Sequence, residues 1–218
     1  MTERSIVLLS GGLDSAVALF WALDQGHQVE ALSFHYFRRS KKEIDACKKI
    51  ANFARVENRT LNLDFLREVQ DLRQSLKDRN PLLKRAQSAY IPSRNIIFYG
   101  IASSFAEILR AKYIIGGHNK NDKASFPDSS KIFFEQFNKT AKIGQVSKHE
   151  AAEVILPLAD LDKSEVVKLG AKLGVPFDLT WSCYYQSKHP CKKCLSCKLR
   201  TRAFAEAGVE DPLTMARA

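Results

Sequence analysis

The stretch that decides the fold is Ser5–Ser15, with the sequence SIVLLSGGLDS. Its first part, Ser5–Leu9, is a short apolar run that is typical of a buried strand, and two glycines follow it closely. From Asp14 to Gln25 the apolar residues recur at helical spacing. The stretch therefore predicts a strand, a tight loop and a helix in direct succession.

The loop Ser10–Ser15 has the composition of a phosphate-binding turn. Gly11 and Gly12 can adopt positive φ and carry no side chain, so successive main-chain N–H groups can converge on one anion. Ser10 and Ser15 add hydroxyl donors, and the following helix directs its positive end at the same place. The Walker and dinucleotide-binding patterns are both absent. We expect pyrophosphate as the ligand; the alternative is a plain strand-to-helix turn.

Further along the chain, apolar runs typical of strands alternate with amphipathic stretches typical of helices. This alternation predicts an α/β fold, a Rossmann-like parallel sheet with helices on both faces. Ligand sites in such sheets lie at the carboxyl ends of the strands. Gly116 and Gly117 form a predicted turn at the carboxyl end of one of these strands. The predicted strands are 29–34, 58–63, 112–115 and 154–157, and the predicted helices are 41–54, 93–109, 131–140 and 163–173.

Two stretches between these elements lack a regular pattern. Residues 64–89 are charged and weakly periodic, and Asn80-Pro81 would break a helix, so we expect an excursion over the active face. Residues 119–130 form a predicted loop that contains Asp122 and Asp128. Asp162 or Ser164 can cap the helix that follows the last strand, and Gly174 can end it.

Composition limits the class of protein. The chain has 218 residues, 45% of them apolar and 27% charged, which fits one globular domain. No apolar run approaches the roughly 18 residues of a membrane span, and no signal peptide is visible, so we expect a cytoplasmic protein without membrane contact. A formal charge of +10 would attract polyanions, including nucleotides and nucleic acid, but names no partner.

Four of the five cysteines lie close together near the end of the sequence, at Cys183, Cys191, Cys194 and Cys197. Without a secretory signal, this spacing indicates a metal site rather than disulfides. Four thiolates suit a tetrahedral, closed and structural Zn²⁺ site; an iron–sulfur cluster is the alternative, and His189 could replace one cysteine. We expect this segment, residues 181–218, to pack on the main domain, residues 1–180.

The SGGLDS sequence resembles the signature of the N-type ATP pyrophosphatases. The resemblance implies a fold of the adenine nucleotide alpha hydrolase type, ATP and Mg²⁺ as cofactors, and cleavage of ATP between its α and β phosphates. It also implies Asp14 as a catalytic residue, and Lys163, which matches a lysine that meets the phosphates in the segment 157–176. The implied nucleotide-binding residues are Ser10, Gly11, Gly12, Leu13, Asp14 and Ser15.

Within that superfamily, two further motifs resemble those of the 7-cyano-7-deazaguanine synthases. They are Trp181-Ser182-Cys183 followed by PCKKCLSC at Pro190–Cys197, and PSRN at Pro92–Asn95. This resemblance implies adenylation of 7-carboxy-7-deazaguanine, first at the carboxylate and then at the amide oxygen, with ammonia as the nitrogen source. It also implies a homodimer and zinc at the four cysteines.

Two motifs depart from that family's pattern. The family run YGQRH is YFRRS in this chain, with Phe37 and Ser40 in place of the family's glycine and histidine. The family run DxxxYPDCR is DKASFPDSS at 122–130. The second run keeps Asp122 and Asp128 but replaces the tyrosine, cysteine and arginine, at Phe126, Ser129 and Ser130. In the family these positions surround the deazaguanine and its carboxylate. We therefore expect three further catalytic residues: Asp122 and Asp128, which would line the substrate side, and Arg94, which would help to hold an anion. Stabilisation of the loop is the alternative role for each.

Two other functions fit parts of the sequence. The departures and the net charge favour a paralogue that adenylates a related deazapurine acid and joins it to another acceptor, or that modifies RNA. The charge also fits a non-catalytic, zinc-stabilised nucleic-acid-binding module, although aromatic residues do not interleave with the basic ones as single-strand binders require.

Overall fold

The computed structural model describes residues 2–37, 39–85, 90–122, 126–147, 150–185 and 189–215. Within these ranges, strands and helices alternate along most of the chain. The strands are β1 (Arg4–Leu8), β2 (Gln28–His35), β3 (Glu57–Asn62), β4 (Tyr113–Ile115) and β5 (Glu153–Ile155). The helices are α1 (Leu13–Asp24), α2 (Lys41–Ala54), α3 (Leu66–Leu76), α4 (Pro81–Arg85), α5 (Arg94–Leu109), α6 (Lys131–Gly144), α7 (Lys163–Lys172), α8 (Leu195–Ala207) and α9 (Pro212–Met215).

The five strands form one parallel sheet in the order β3-β2-β1-β4-β5. At its centre, Val7 of β1 lies between Ala31 of β2 and Ile115 of β4. The chain adds β2 and β3 on one side of β1 and then crosses to add β4 and β5 on the other. The direction of winding therefore reverses between β1 and β4, and the crevice at their carboxyl ends is where open parallel sheets bind ligands.

Both faces of the sheet are covered by helices, as predicted. Successive strand residues point to opposite faces, so Ile6 and Val7 enter two different cores. Val7 packs with α1, α7 and α8, while Ile6 packs with residues of α5 and α6 such as Tyr99 and Phe134. The sequence-based fold class is confirmed.

The helices that flank the crevice begin at well-defined caps. Ser40 and Glu43 form a capping box at the start of α2, and Asp162 and Glu165 form one at the start of α7. In each, the cap side chain satisfies a free amide of the first turn and the glutamate bonds the cap amide in return. Gly174 follows α7 with a φ of 70°. The predicted cap at Asp162 and the predicted end at Gly174 are confirmed.

Residues 64–89, which we expected to form an excursion over the active face, contain two helices that the sequence did not predict, α3 and α4. The buried face of α3 is formed by Leu66, Gln70 and Arg73, which have helical spacing. Two of these three residues are polar, so no apolar periodicity marked the helix. The expected break at Pro81 is present as the first residue of α4; residues 86–89 lie outside the described residues.

Helix α8, which the sequence did not predict, packs against α7 and joins the C-terminal segment to the core. Phe204 is fully buried there and meets the ring of Phe177 edge-on at 5.0 Å. The buried guanidinium of Arg200 donates to both carboxylate oxygens of Asp211 at 2.8 and 2.9 Å and to Thr180 Oγ1 at 2.7 Å. No helix in the described part of the chain is both long and apolar enough to cross a membrane.

Replacing Arg200 tests how strongly this segment is attached. Arg200→Ala should lower the free energy of unfolding by about 3–5 kcal/mol, because it leaves the Asp211 carboxylate buried without its partner. Urea unfolding followed by circular dichroism measures the change. The control is Arg202→Ala on the same helix, whose pair with Glu206 is exposed and should contribute less than about 1 kcal/mol. Equal losses in the two variants would contradict a buried clamp.

Candidate functional site

A cavity of about 310 Å³ opens at the crevice between β1 and β4. One side is formed by the Ser10–Ser15 loop and the first turn of α1, and the other by the start of α5. Its apolar wall includes Phe34 and Phe98, whose rings stack at 4.4 Å. The volume lies at the small end of the range for small-molecule sites, so the cavity is the first place to look for function.

Three successive carbonyl groups of the loop already have hydrogen-bond partners. The oxygen of Ser10 accepts from Nη2 of Arg39, and the oxygen of Gly11 accepts from the main-chain N–H of Trp181 at 2.8 Å. The oxygen of Gly12 accepts from Ser15 Oγ and from the N–H of Ala16, each at 3.1 Å. The negative ends of these peptide groups are therefore engaged by the protein.

The amides of the first turn of α1 are arranged differently. The N–H groups of Leu13, Asp14 and Ser15 have no acceptor upstream in the helix, as at every helix start, and none among the described residues. Asp14 and Ser15 line the cavity, so these donors and the positive end of the helix adjoin it. The arrangement can bind an anion of phosphate type.

The glycines of the loop behave only partly as predicted. Gly11 has a φ of 77°, and a Cβ there would lie 2.4 Å from the Glu43 carbonyl oxygen. Gly12 instead has a φ of −81° as the N-cap of α1, so only Gly11 uses the positive φ that both glycines can adopt. Ser10 Oγ and Ser15 Oγ bond each other at 2.9 Å. Their hydroxyls shape the turn.

Asp14 and Lys163 bring α1 and α7 together beside the loop. Lys163 Nζ donates to Asp14 Oδ2, so two predicted catalytic residues meet. The other oxygen, Asp14 Oδ1, is buried and has no hydrogen-bond partner among the described residues. A buried carboxylate oxygen without a partner is a favourable position for a cation or a donor from a ligand.

Arg39, to which the sequence analysis gave no role, is a central residue of the site. Its side chain is 7% exposed and also donates to the Phe34 carbonyl at 3.0 Å and to Cys47 Sγ at 3.4 Å. Burial opposes the charge, yet Cys47 and Glu43 raise its pKa above the usual value. Arg39 is thus a permanent cation that links β2, α2 and the loop. No periodic pattern marks such a residue in a sequence.

At the start of α5, Arg94 lines the cavity and lies over two rings, 5.9 Å from the centroid of Phe98 and 5.7 Å from that of Phe126. Asp128 contacts the residue that follows Arg94. The Asp128 carboxylate accepts from the main-chain N–H of Asn95 at 3.1 Å, and the Asn95 amide donates to the Asp128 carbonyl at 2.9 Å. The contacts of Asp128 therefore fix the helix start that carries Arg94.

The two serines that replace the family's cysteine and arginine bond within their own loop. Ser129 Oγ donates to the Phe126 carbonyl, and Ser130 caps α6 by accepting from the N–H of Phe133. Neither serine lines the cavity. The cavity therefore receives no polar group from these two positions.

The carboxyl end of β4 adds two partly buried titratable residues, Asp122 and His118, of which only Asp122 was predicted from the sequence. Asp122 Oδ2 accepts from the N–H of Asn119 at 3.0 Å, and burial together with the charge of Asp14 raises the pKa of Asp122. Burial and the cation Arg94 lower the pKa of His118 to about 4. His118 follows two glycines at a strand end, and that signal could have identified it.

The four cysteines converge as predicted. Their Sγ atoms all lie within 4.8 Å of one another, and Cys191 Sγ is 3.9 Å from Cys197 Sγ. Ligands at about 2.3 Å from a single tetrahedral zinc ion stand roughly 3.8 Å apart. The N–H groups of Cys194 and Lys193 lower the pKa of Cys191 to about 6, whereas burial raises the pKa of Cys183. Such a cluster suits one cation that holds all four thiols deprotonated.

Comparison with known proteins identifies close relatives. The family model described as "Queuosine biosynthesis protein QueC" matches residues 4–208. The 7-cyano-7-deazaguanine synthase of Thermoplasma volcanium is 36% identical over 220 residues, which cover 98% of this chain and 91% of the relative. The 7-cyano-7-deazaguanine synthase of Methanocaldococcus jannaschii is 38% identical over 228 residues, covering 95% and 97% of the two chains.

Solved structures share the fold at lower identity. NMN synthetase from Francisella tularensis superimposes with a TM-score of 0.54 at 19% identity, covering 95% of this chain and 78% of that one. The U34-tRNA thiolase NcsA from Methanococcus maripaludis, solved with its [4Fe-4S] cluster, gives 0.52 at 17%, covering 94% of this chain and 65% of that one, just under two thirds. These likenesses establish the fold alone.

The metal content of the purified protein tests the cysteine cluster. We expect about one zinc ion per chain, and loss of that ion in Cys197→Ser, because three thiolates no longer close a structural site. Inductively coupled plasma mass spectrometry measures both. The matched control is Cys47→Ser, a buried cysteine bonded to the Leu9 carbonyl, which should retain the ion. Several iron ions per chain would contradict a single-ion site.

Gly117 tests the close packing of the loop against the end of β4. A Cβ on Gly117 would lie 2.8 Å from Ser15 N and 2.9 Å from Asp14 O, so Gly117→Ala must displace the first turn of α1. Pyrophosphate binding, measured by calorimetry, should weaken about tenfold or more, since overpacking costs about 1–3 kcal/mol. Gly100→Ala in α5 is the control, because its Cβ would enter open space. Unchanged affinity in Gly117→Ala would contradict the assignment of the anion site.

Proposed function

The chain belongs to the family of the queuosine biosynthesis protein QueC, and from this premise we propose that it converts a 7-deazapurine carboxylate to a nitrile with ATP and ammonia. Its curated relatives are named 7-cyano-7-deazaguanine synthases, which supports an enzyme acting on this class of compound. The proposed substrate is 7-carboxy-7-deazaguanine. The observation that carries the ATP step is the first turn of α1, with its unpaired amides beside the cavity.

The proposed chemistry needs the substrate oxygen to become a good leaving group twice. Attack of the carboxylate on the α phosphorus of ATP forms an acyl adenylate and releases pyrophosphate. Ammonia then displaces AMP and loses a proton, which gives the amide. Attack of the amide oxygen on the α phosphorus of a second ATP releases a second pyrophosphate and one N–H proton. Departure of AMP with loss of the remaining N–H proton then gives the nitrile. The protein's contribution is positioning and stabilisation of phosphate charge.

The residues of the loop fit this role. The amides of Leu13, Asp14 and Ser15 would bind the pyrophosphate portion of ATP, and Lys163 would offset its charge. The buried and unpartnered Asp14 Oδ1 is an oxygen ligand of the type that Mg²⁺ prefers. We propose that Asp14 holds Mg²⁺ there; when bound, the ion would neutralise charge that develops on the phosphates.

The opposite side of the cavity would receive the deazapurine acid. The stacked pair Phe34 and Phe98 offers an apolar surface for a planar ring, and Arg94 offers a cation for the carboxylate or the adenylate phosphate. Asp122 stays a proposed substrate-side residue. For Asp128, the bond to Asn95 N supports an indirect role, in which it positions Arg94.

At the cysteine cluster we propose Zn²⁺ in a structural role. The thiolates of a [4Fe–4S] cluster bind different iron atoms, which sets them further apart than four ligands of one ion. The short separation of the Sγ atoms therefore favours one ion. With all four positions taken by cysteine, no coordination site stays open for substrate.

The partners that we propose are the deazapurine acid, ammonia and a second copy of the chain in a homodimer, whose presence light scattering would test. Because the net charge of +10 would attract RNA, RNA is tested as an alternative acceptor in the same assay. Nitrile formation that requires only ammonia would argue against such an acceptor.

The direct test is incubation with MgATP, ammonium and 7-carboxy-7-deazaguanine, followed by mass analysis of the products. We expect the nitrile, AMP and pyrophosphate. Lys163→Met should lower kcat/KM by about 10²–10³, the usual effect of removing one stabilising group. Lys168→Met, an exposed lysine on the same helix, is the matched control and should retain activity.

Three results would contradict the proposal. They are release of ADP instead of AMP, product formation only when RNA is added, and no consumption of the acid. Equal activity of the two lysine variants would remove Lys163 from the reaction while leaving the proposed overall reaction in place.

A further inference from the structure

His118 is a polar residue of the cavity that the proposed reaction has not used. It lies directly beyond Gly117 at the carboxyl end of β4 and lines the cavity with Asp14 and Arg94. Its side chain is 20% exposed. Within the part of the chain that the structure describes, neither ring nitrogen of His118 has a hydrogen-bond partner. The imidazole is therefore open to a hydrogen bond from a ligand in the cavity.

The ring of His118 is held by aromatic neighbours. Its centroid is 5.4 Å from that of Phe134 and 5.9 Å from that of Tyr99. Tyr99 is itself fixed, because its hydroxyl lies where a Cβ on Gly116 would be. The imidazole is thus placed by packing before any ligand enters, which is the condition for a selective contact.

The position of Asp122 indicates which ring nitrogen of His118 carries the proton. Nδ1 of His118 is 4.0 Å from Oδ2 of Asp122, and Asp122 is itself fixed by the N–H of Asn119. Because this carboxylate places negative charge on the Nδ1 side of the ring, we assign the proton of the neutral ring to Nδ1. Nε2, on the other side of the ring, is then a hydrogen-bond acceptor.

We infer that His118 is a specificity-determining residue whose Nε2 accepts a hydrogen bond from an N–H group of the ligand in the cavity. The inference rests on the proposed function, which supplies two ligands with such groups. One is the base-like ring of the deazapurine acid, and the other is ammonia. The contact discriminates because a ligand with a carbonyl oxygen or a C–H group at that position would leave the acceptor unpaired.

Electrostatics supports the same reading of His118. Only a neutral imidazole can accept a hydrogen bond, since both nitrogens of the cation are donors. Burial and the cation Arg94 lower the pKa of His118 to about 4, while Asp14 acts in the opposite direction. The ring is therefore neutral near pH 7.

Three substitutions separate hydrogen bonding from packing. His118→Phe keeps a planar ring without an acceptor, His118→Gln places an amide oxygen near the position of Nε2, and His118→Asn places one near Nδ1. Initial rates give the KM for the deazapurine acid, for ammonium and for ATP. The control is His27→Gln, since His27 bonds Ser5 Oγ at the opposite end of the sheet.

We expect His118→Phe and His118→Asn to raise the KM for one of the two N–H ligands about five- to tenfold, the usual effect of one lost hydrogen bond. His118→Gln should recover most of the loss, and the KM for ATP should stay within about twofold. A raised KM for the acid assigns the contact to the ring N–H; a raised KM for ammonium assigns it to the nitrogen donor.

The failures of the two proposals are distinguishable. If wild type forms the nitrile and His118→Phe has unchanged KM values, the inference about His118 is overturned and the proposed function stands. If wild type forms no nitrile, the proposed function fails, and calorimetric binding of the acid and of ammonium to the same variants decides the inference. Binding that is absent, or equal in wild type and His118→Phe, would overturn it there as well.

Discussion

The site depends on the orientation of the peptide groups that follow β1, because each peptide group is a dipole. The carbonyl oxygens of Ser10, Gly11 and Gly12 accept hydrogen bonds from the protein, while the N–H groups that follow at the first turn of α1 have no acceptor among the residues that the structure describes. This asymmetry gives a short loop a fixed positive side with no lysine in it. The positive φ of Gly11 makes the turn possible. The cavity, the parallel sheet and the neighbouring helices all preserve this local geometry.

Two distant parts of the chain maintain the asymmetry. Arg39, buried between β2 and α2, holds the Ser10 carbonyl, and Trp181 holds the Gly11 carbonyl through its main-chain N–H. Trp181 also donates through its indole to the carbonyl of Cys183, a member of the cysteine cluster. The cysteine cluster is therefore two hydrogen bonds from the Ser10–Ser15 loop. A structural ion there would support ATP binding without contacting the nucleotide.

Much of the fold could be predicted from the sequence because its signals are local. The SGGLDS loop, the cap at Asp162 and the four cysteines each identify themselves by residue type and spacing. Helix α3 was missed because polar residues occupy its buried face, and Arg39 and His118 were missed because tertiary contacts define their roles. Asp128 shows the limit of a motif: its position was recognised, but only the structure shows that it bonds the start of α5. Motifs in the sequence thus predict where the site lies, whereas the roles of individual residues follow from their tertiary contacts.

The most direct measurement is a crystal structure of the protein with Mg²⁺ and pyrophosphate. The account predicts phosphate oxygens about 2.7–3.2 Å from the main-chain nitrogens of Leu13, Asp14 and Ser15, with the carbonyls of Ser10 and Gly11 still bonded to Arg39 and Trp181. An anion bound elsewhere, or a loop whose amides have turned to protein acceptors, would contradict it.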